Sequence, residues 1–296
     1  MKTRWMTLLG LVAMAALLLP GKAPATAAPL GGATVYLPVI YRLVYTCPAT
    51  SSNSYYQNVI YRGEVPPIRP AEQHGDKNFA LRGFITNTVE AKTLISGQAD
   101  PQEPNQPPQL GTIFNPDRVT TAAANITQVY HTYFWIFGIY PDPGQRGGED
   151  ANPAVGVLGL GAAPGEVLQA PTSFYEVAFV NNVHYQAFVM YADADTVALH
   201  YSAEDTVVNG YTVHIDNICT DPNLLALYNA LDGGGTGPRY TNTSFNMPYI
   251  AVGQAIGTAR DNLVRVKVVD TGSTIEPRMC WNLWHWVAPG MNGTCN

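Results

Sequence analysis

The residues best placed to do chemistry sit in a short polar stretch, RPAEQHGDKNFALRG, at 69–83, where His74 is followed by Asp76 and Asn78. An imidazole, a carboxylate and an amide within five residues form the donor set of a metal or polar-ligand loop, and the same residue types also build hydrogen-bonded turns. His131, His184, His200 and His214 fall in stretches that read as strands, where an imidazole is normally half-buried and hydrogen-bonded. Of these, His214 can join His74 only if strand alternation points it into the same groove. The ligand-binding set expected from the sequence is therefore His74, Asp76, Asn78 and His214, with no catalytic residue assigned.

Other constellations are missing. The chain has no G-x-S-x-G elbow, no P-loop, no H-E-x-x-H and no G-x-G-x-x-G after a strand. Acids occur as Glu149-Asp150, Asp193, Asp195 and Glu204-Asp205. A glycosidase needs two carboxylates facing each other across a sugar, and neighbours in a turn do not supply that geometry. They read as solvated turn acids.

The elements that must position these residues belong to an exported chain. Lys2 and Arg4 precede an apolar run from Trp5 to Leu19, too short to span a bilayer. Ala25-Thr26-Ala27 follows as a cleavage site, so 1–27 reads as a signal peptide and the mature protein as secreted, without a stable transmembrane anchor. Apolar residues make up 46% of the chain and charged residues 13%, enough for a sizeable core with few surface charges. The net charge of −6 and the lack of a Lys/Arg cluster argue against nucleic acid as a partner. All four cysteines, Cys47, Cys219, Cys280 and Cys295, lie in the mature part, which points to two disulfides. Three pairings are possible; the short loop between Cys280 and Cys295 favours that pair and leaves Cys47 with Cys219. Asn125-Ile-Thr, Asn242-Thr-Ser and Asn292-Gly-Thr are glycosylation sequons, relevant only in a glycosylating host.

Residues 28–110 read as an extended Pro/Ser/Asn-rich segment, and 111–296 as a β-rich domain ending in a Trp-rich, disulfide-closed tail. Within that domain FYEVAFV and VHYQAFVMY flank Asn181-Asn182, the signal of a two-residue hairpin. TVALHYS, GYTVHID and LVRVKVVD read as further strands. One helix stands out at 221–232. Asp221 is its N-cap, Pro222 its first residue, and Leu224, Leu225, Leu227, Tyr228 and Leu231 supply its apolar face. The expected fold is all-β or β-dominated: an antiparallel, barrel-like sandwich with that one short helix.

The last third resembles the lysostaphin-like zinc endopeptidases, whose β-sheet core cuts peptidoglycan cross-bridges. GYTVHI at 210–215, LYNAL at 227–231, GQAIGTA at 253–259 and LVRVKVVDTGSTIEP at 263–277 follow the family's order over about 70 residues. HGDKN matches the H-x-x-x-D zinc pair at His74, with Asn78 where the acid belongs. The H-x-H strand reads Val264-Arg265-Val266, and Ala230 stands where a further histidine belongs. The resemblance therefore implies a related sheet with a degenerate metal site and no cofactor, zinc being the one candidate. RP-A-QH-D-N-ALRG and DPNLLALY blocks also make the whole chain similar to exported bacterial proteins, a similarity that implies export and no activity.

Three functions follow as expectations. The leading one is a non-catalytic extracytoplasmic β-protein that binds a cell-wall or extracellular polysaccharide, since Tyr and Trp offer flat faces with a polar edge. The rivals are an active zinc peptidase of the cell wall and a purely structural surface protein.

Overall fold

The computed structural model describes residues 45–61, 75, 77–97, 107–114, 125–135, 146–174, 176–202, 209–232, 244–271 and 273–284. The signal segment, His74, Asp76, His285, Cys295 and the sequons at Asn242 and Asn292 lie outside them.

The protein is β-dominated, as expected from the sequence. Its main element is a large antiparallel sheet. The strands are β1 (Tyr56–Tyr61), β2 (Phe84–Thr86), β3 (Ile126–Trp135), β4 (Arg146–Asp150), β5 (Val157–Gly161), β7 (Ala178–Val180), β8 (Val183–Ala192), β9 (Thr196–Tyr201), β10 (Tyr211–Asp216), β12 (Ser244–Ala251), β14 (Leu263–Asp270) and β15 (Ser273–Thr274). Their order is β1-β12-β8-β9-β10-β14-β5-β3-β2, with β15, β4 and β7 attached at the sides. β1 and β2 end this path without meeting, so among the described residues the sheet does not close into a barrel. A second, three-stranded sheet is formed by β6 (Val167–Gln169), β11 (Ile218–Thr220) and β13 (Ala255–Ala259).

The pleat explains the core. Along β10, Tyr211, Val213 and Ile215 pair with Tyr201, Leu199 and Val197 of β9, and Val213 and Ile215 face Val268 and Val266 of β14. All eight are at most 2% exposed. Leu168, Ile218, Ile256 and Ala259 of the second sheet join the same cluster. The intervening residues Thr212, His214 and Asp216 point to the opposite face. That face is covered too, since Thr212 and His214 are also buried. Strands buried on both sides read as unbroken apolar runs.

Three helices complete the described fold: α1 (Phe79–Arg82), α2 (Pro222–Asp232) and α3 (Cys280–Leu283). α2 packs Leu224 and Tyr228 into the core, and the Tyr228 hydroxyl donates to the Met190 carbonyl oxygen at 3.3 Å. None of the described helices is long and apolar enough to cross a membrane. Asn181 and Asn182 have φ of 52° and 62°, as a type I′ hairpin between β7 and β8 requires.

Residues 45–55, read from the sequence as part of an extended segment, run without a strand of their own and then continue into β1 at the sheet edge. Cys47 is disulfide-bonded to Cys219 of β11 across 172 residues. Cys280 also takes part in a disulfide, and Cys295, its expected partner, lies outside the described residues.

Candidate functional site

The described part of the polar stretch, Gly75 and 77–83, forms α1 and turn residues before it. Asn78 is 8% exposed and serves as the N-cap, its side-chain oxygen accepting the Ala80 N–H at 3.0 Å. At the other end of the helix the Arg82 Nη1 donates to Thr274 Oγ1 at 3.0 Å, which ties α1 to β15. Phe79 stacks on Phe84 at 4.8 Å and approaches the His214 ring at 6.0 Å between centroids. Asn78 and His214 are thus drawn to one side of the sheet through the intervening Phe79. His74 and Asp76, expected to complete the set, lie outside the described residues.

His214 is fully buried and stands opposite Lys267 in the β10–β14 register, while Asp216 stands opposite Arg265. Arg265 Nε donates to Asp216 Oδ2 at 2.8 Å, and its guanidinium lies 5.1 Å over the Phe84 ring. Val264 and Val266, its strand neighbours, are buried in the core on the other face. A zinc ion needs about three converging deprotonated ligands. The described groups do not fit it. The Asn78 oxygen is engaged as a cap, and β14 presents Lys267 and Arg265 to this face, two cations that oppose a third. Among the described residues no group of three or more His, Cys, Asp or Glu is placed to hold a metal ion.

The remaining strand histidines play different parts. His200 is 2% exposed, with Nε2 at 2.8 Å from the Asn209 carbonyl oxygen and Nδ1 at 2.8 Å from Thr212 Oγ1. A carbonyl can only accept, so Nε2 carries a proton, and in the neutral ring Nδ1 then accepts from the hydroxyl. This is a satisfied core histidine. His131 sits on β3, opposite Ile85 of β2. His184 is exposed at the start of β8 and pairs with Glu176.

A polar hub without chemistry surrounds Asp221. Its Oδ1 accepts the backbone N–H groups of Asn223 at 2.9 Å and Leu224 at 3.3 Å, the cap expected from the sequence. Its Oδ2 accepts Ser51 Oγ at 2.6 Å and Asn53 Nδ2 at 2.7 Å. Asn223 Nδ2 donates to the carbonyl oxygens of Ser51 and Asn53, and Tyr55 donates to that of Ala255 at 2.9 Å. Burial, reinforced by the Asp221 charge, pushes the Tyr55 hydroxyl far above its ordinary range, so it stays a donor. The buried Arg278 is a second structural hub. Its Nε and Nη2 reach the two Glu276 carboxylate oxygens at 2.9 and 3.0 Å, and its Nη1 reaches the Ala91 carbonyl oxygen at 2.8 Å.

The surface group that the sequence did not single out lies at the β7–β8 hairpin. Phe179 is 53% exposed and faces His184 in the β7–β8 register, with ring centroids 4.4 Å apart. Glu176 pairs with the imidazole, and Phe174, two residues earlier, is 61% exposed. Tyr185, the next residue of β8, points to the opposite side. There it meets Tyr56 of β1 at 5.0 Å and Tyr249 of β12 at 6.2 Å. The alternating sequence HisTyr at 184–185 was the only available signal, and it does not say which end of a strand the fold leaves uncovered.

No family model matches the chain, and neither do curated proteins or solved structures.

Proposed function

We propose that this chain is a non-catalytic extracytoplasmic β-protein that binds a glycan of the cell wall or the extracellular medium. The observation that carries the reading is the pair of aromatic rings left at the surface around the β7–β8 hairpin, Phe174 and Phe179, the latter on a hydrogen-bonded frame. Flat rings beside polar groups suit the C–H faces and hydroxyl rims of sugars. The Cys47–Cys219 disulfide is compatible with an oxidising compartment. The resemblance to lysostaphin-like peptidases supports a cell-wall ligand, and the cations that β14 turns toward His214 support binding without hydrolysis.

The experiment is retention of the purified mature protein on insoluble peptidoglycan, chitin, cellulose and amylose, together with elemental analysis. Retention on at least one polysaccharide is expected, with no release of wall peptides and no stoichiometric zinc. One zinc per chain, lost in His74→Ala, together with cleavage of wall peptides, would replace this reading by a metallopeptidase.

A further inference from the structure

We infer that Phe179, backed by His184 with Glu176 paired to that imidazole, is the stacking subsite for a single pyranose ring of that glycan. The inference rests on the glycan-binding reading and adds the place and the recognition chemistry.

The ring of Phe179 is held from behind and open in front. The His184 imidazole contacts it at 4.4 Å between centroids with the planes 41° apart, yet half of the Phe179 surface remains exposed. The frame beneath is fixed. Val180 and Val183 close the hairpin, Asn181 and Asn182 form its left-handed turn, and the Val177 N–H donates to the Tyr185 carbonyl oxygen at 2.8 Å. The Val252 N–H donates to the His184 carbonyl oxygen at 3.3 Å, which ties the hairpin to the turn after β12. A ring presented on so constrained a backbone costs a ligand little ordering entropy.

The chemistry at the ring's edge selects the occupant. Glu176 and His184 pair with each other while both stay largely in solvent. A carboxylate and an imidazole can each exchange that contact for a pair of hydroxyl groups. An apolar protein partner or an acyl chain would have to strip water from this carboxylate–imidazole pair, and burying such polar groups in an apolar contact is unfavourable. A pyranose ring avoids that cost. Its C–H face covers the open side of Phe179, and its hydroxyls keep a polar surrounding for the exposed Glu176–His184 pair beside it. The combination of one open apolar face and a neighbouring exposed hydrogen-bonding pair therefore matches a neutral sugar.

The test uses the full mature protein and the polysaccharide that retains it best. Phe179→Ala is expected to weaken retention roughly five- to tenfold, the size of a lost ring contact. Phe179→Trp should restore or improve it, and Glu176→Gln should weaken it by a smaller factor. The thermal midpoint of each variant should match wild type, because Phe179 and Glu176 are exposed. If wild type binds a polysaccharide and Phe179→Ala binds it equally well, the subsite assignment is wrong and the glycan reading survives. If wild type binds none of the four polysaccharides, the glycan reading falls and the subsite with it. Loss of binding in both Phe179→Ala and Phe179→Trp would also count against stacking.

Discussion

At the start of α2, both oxygens of Asp221 are fully occupied by partners from its own helix and from the segment 51–53, with Cys47–Cys219 a few residues away. At the β7–β8 hairpin the polar and aromatic groups face water instead. His184 touches both Phe179 and Glu176, and all three stay exposed. Both regions are built on rigid backbone, yet only one has spent its hydrogen-bonding capacity on the protein. A group whose partners are all internal contributes stability, whereas an ordered group that retains exposed surface is available to a ligand. The contrast separates where this molecule is held together from where it can recognise something else.

The sharpest way to break the comparison is to remove the disulfide. Replacing Cys47 and Cys219 together by alanine should cost on the order of 4–5 kcal/mol, the loop-entropy value for a closure longer than 100 residues. Urea unfolding of the double variant reads it. Polysaccharide retention should be unchanged wherever the variant is folded, because the hairpin lies elsewhere in the sheet. An unfolding midpoint within error of wild type would mean that the segment 45–55 is held by its hydrogen bonds alone.

The next effect in size belongs to Asp221. As a helix cap alone, its loss would cost about 1 kcal/mol. The structure adds two charge-assisted bonds to Ser51 and Asn53, so Asp221→Ala should cost about 2–3 kcal/mol. Ser51→Ala and Asn53→Ala should each cost less, and their effects should be non-additive with Asp221→Ala because all three share one carboxylate. Additive losses in a double-mutant cycle would dissolve the hub into separate contacts.

These two regions also show what a sequence can reveal. The cap at Asp221 was legible because capping is local: an Asp before Pro222 and a leucine-rich face suffice. The hairpin was legible for the same reason, since Asn181-Asn182 between alternating segments dictates its turn. The Cys47–Cys219 pair was legible from the even cysteine count and the short alternative loop. The second half of the Asp221 hub was not, because Ser51 and Asn53 come from about 170 residues away and nothing local marks them. Sheet order failed in the same way. No pattern in LVRVKVVD says that it pairs with GYTVHID and sets Lys267 opposite His214. Nor did the segment before residue 110 announce that it would supply β1 and β2, the two ends of the main strand path. As for the candidate site, Asn78 was identified as a polar loop residue, but its role as a helix cap depends on the backbone of α1. Phe179 escaped notice because alternation gives a side chain its face and not its exposure.

The smallest effect lies between the two extremes, at the β8–β9 turn. There Asp193 is satisfied: Oδ1 accepts the N–H groups of Asp195 at 2.9 Å and Thr196 at 2.7 Å, and Oδ2 accepts the Tyr191 hydroxyl at 2.6 Å. Asp195 is less well served. Arg260 reaches it at 3.0 Å with both side chains about half exposed. Partial burial raises its carboxyl above the ordinary 3.8, the charges of Asp193 and Asp216 raise it further, and Arg260 only partly opposes them. The native state therefore holds this proton more tightly than the unfolded chain does. Where the folded pKa exceeds the unfolded one, stability falls as pH rises through the window between them and is level above it. The penalty should be a few tenths of a kcal/mol, because solvent screens so exposed a group. The measurement is the difference in urea midpoint between wild type and Asp195→Asn from pH 3.5 to 7, which cancels the titration of the other acids. The variant should gain relative to wild type as pH rises through the lower part of that range, then run parallel to it. A constant difference across the whole range would show that Arg260 fully balances the turn, and would move Asp195 into the class of satisfied groups to which Asp221 belongs.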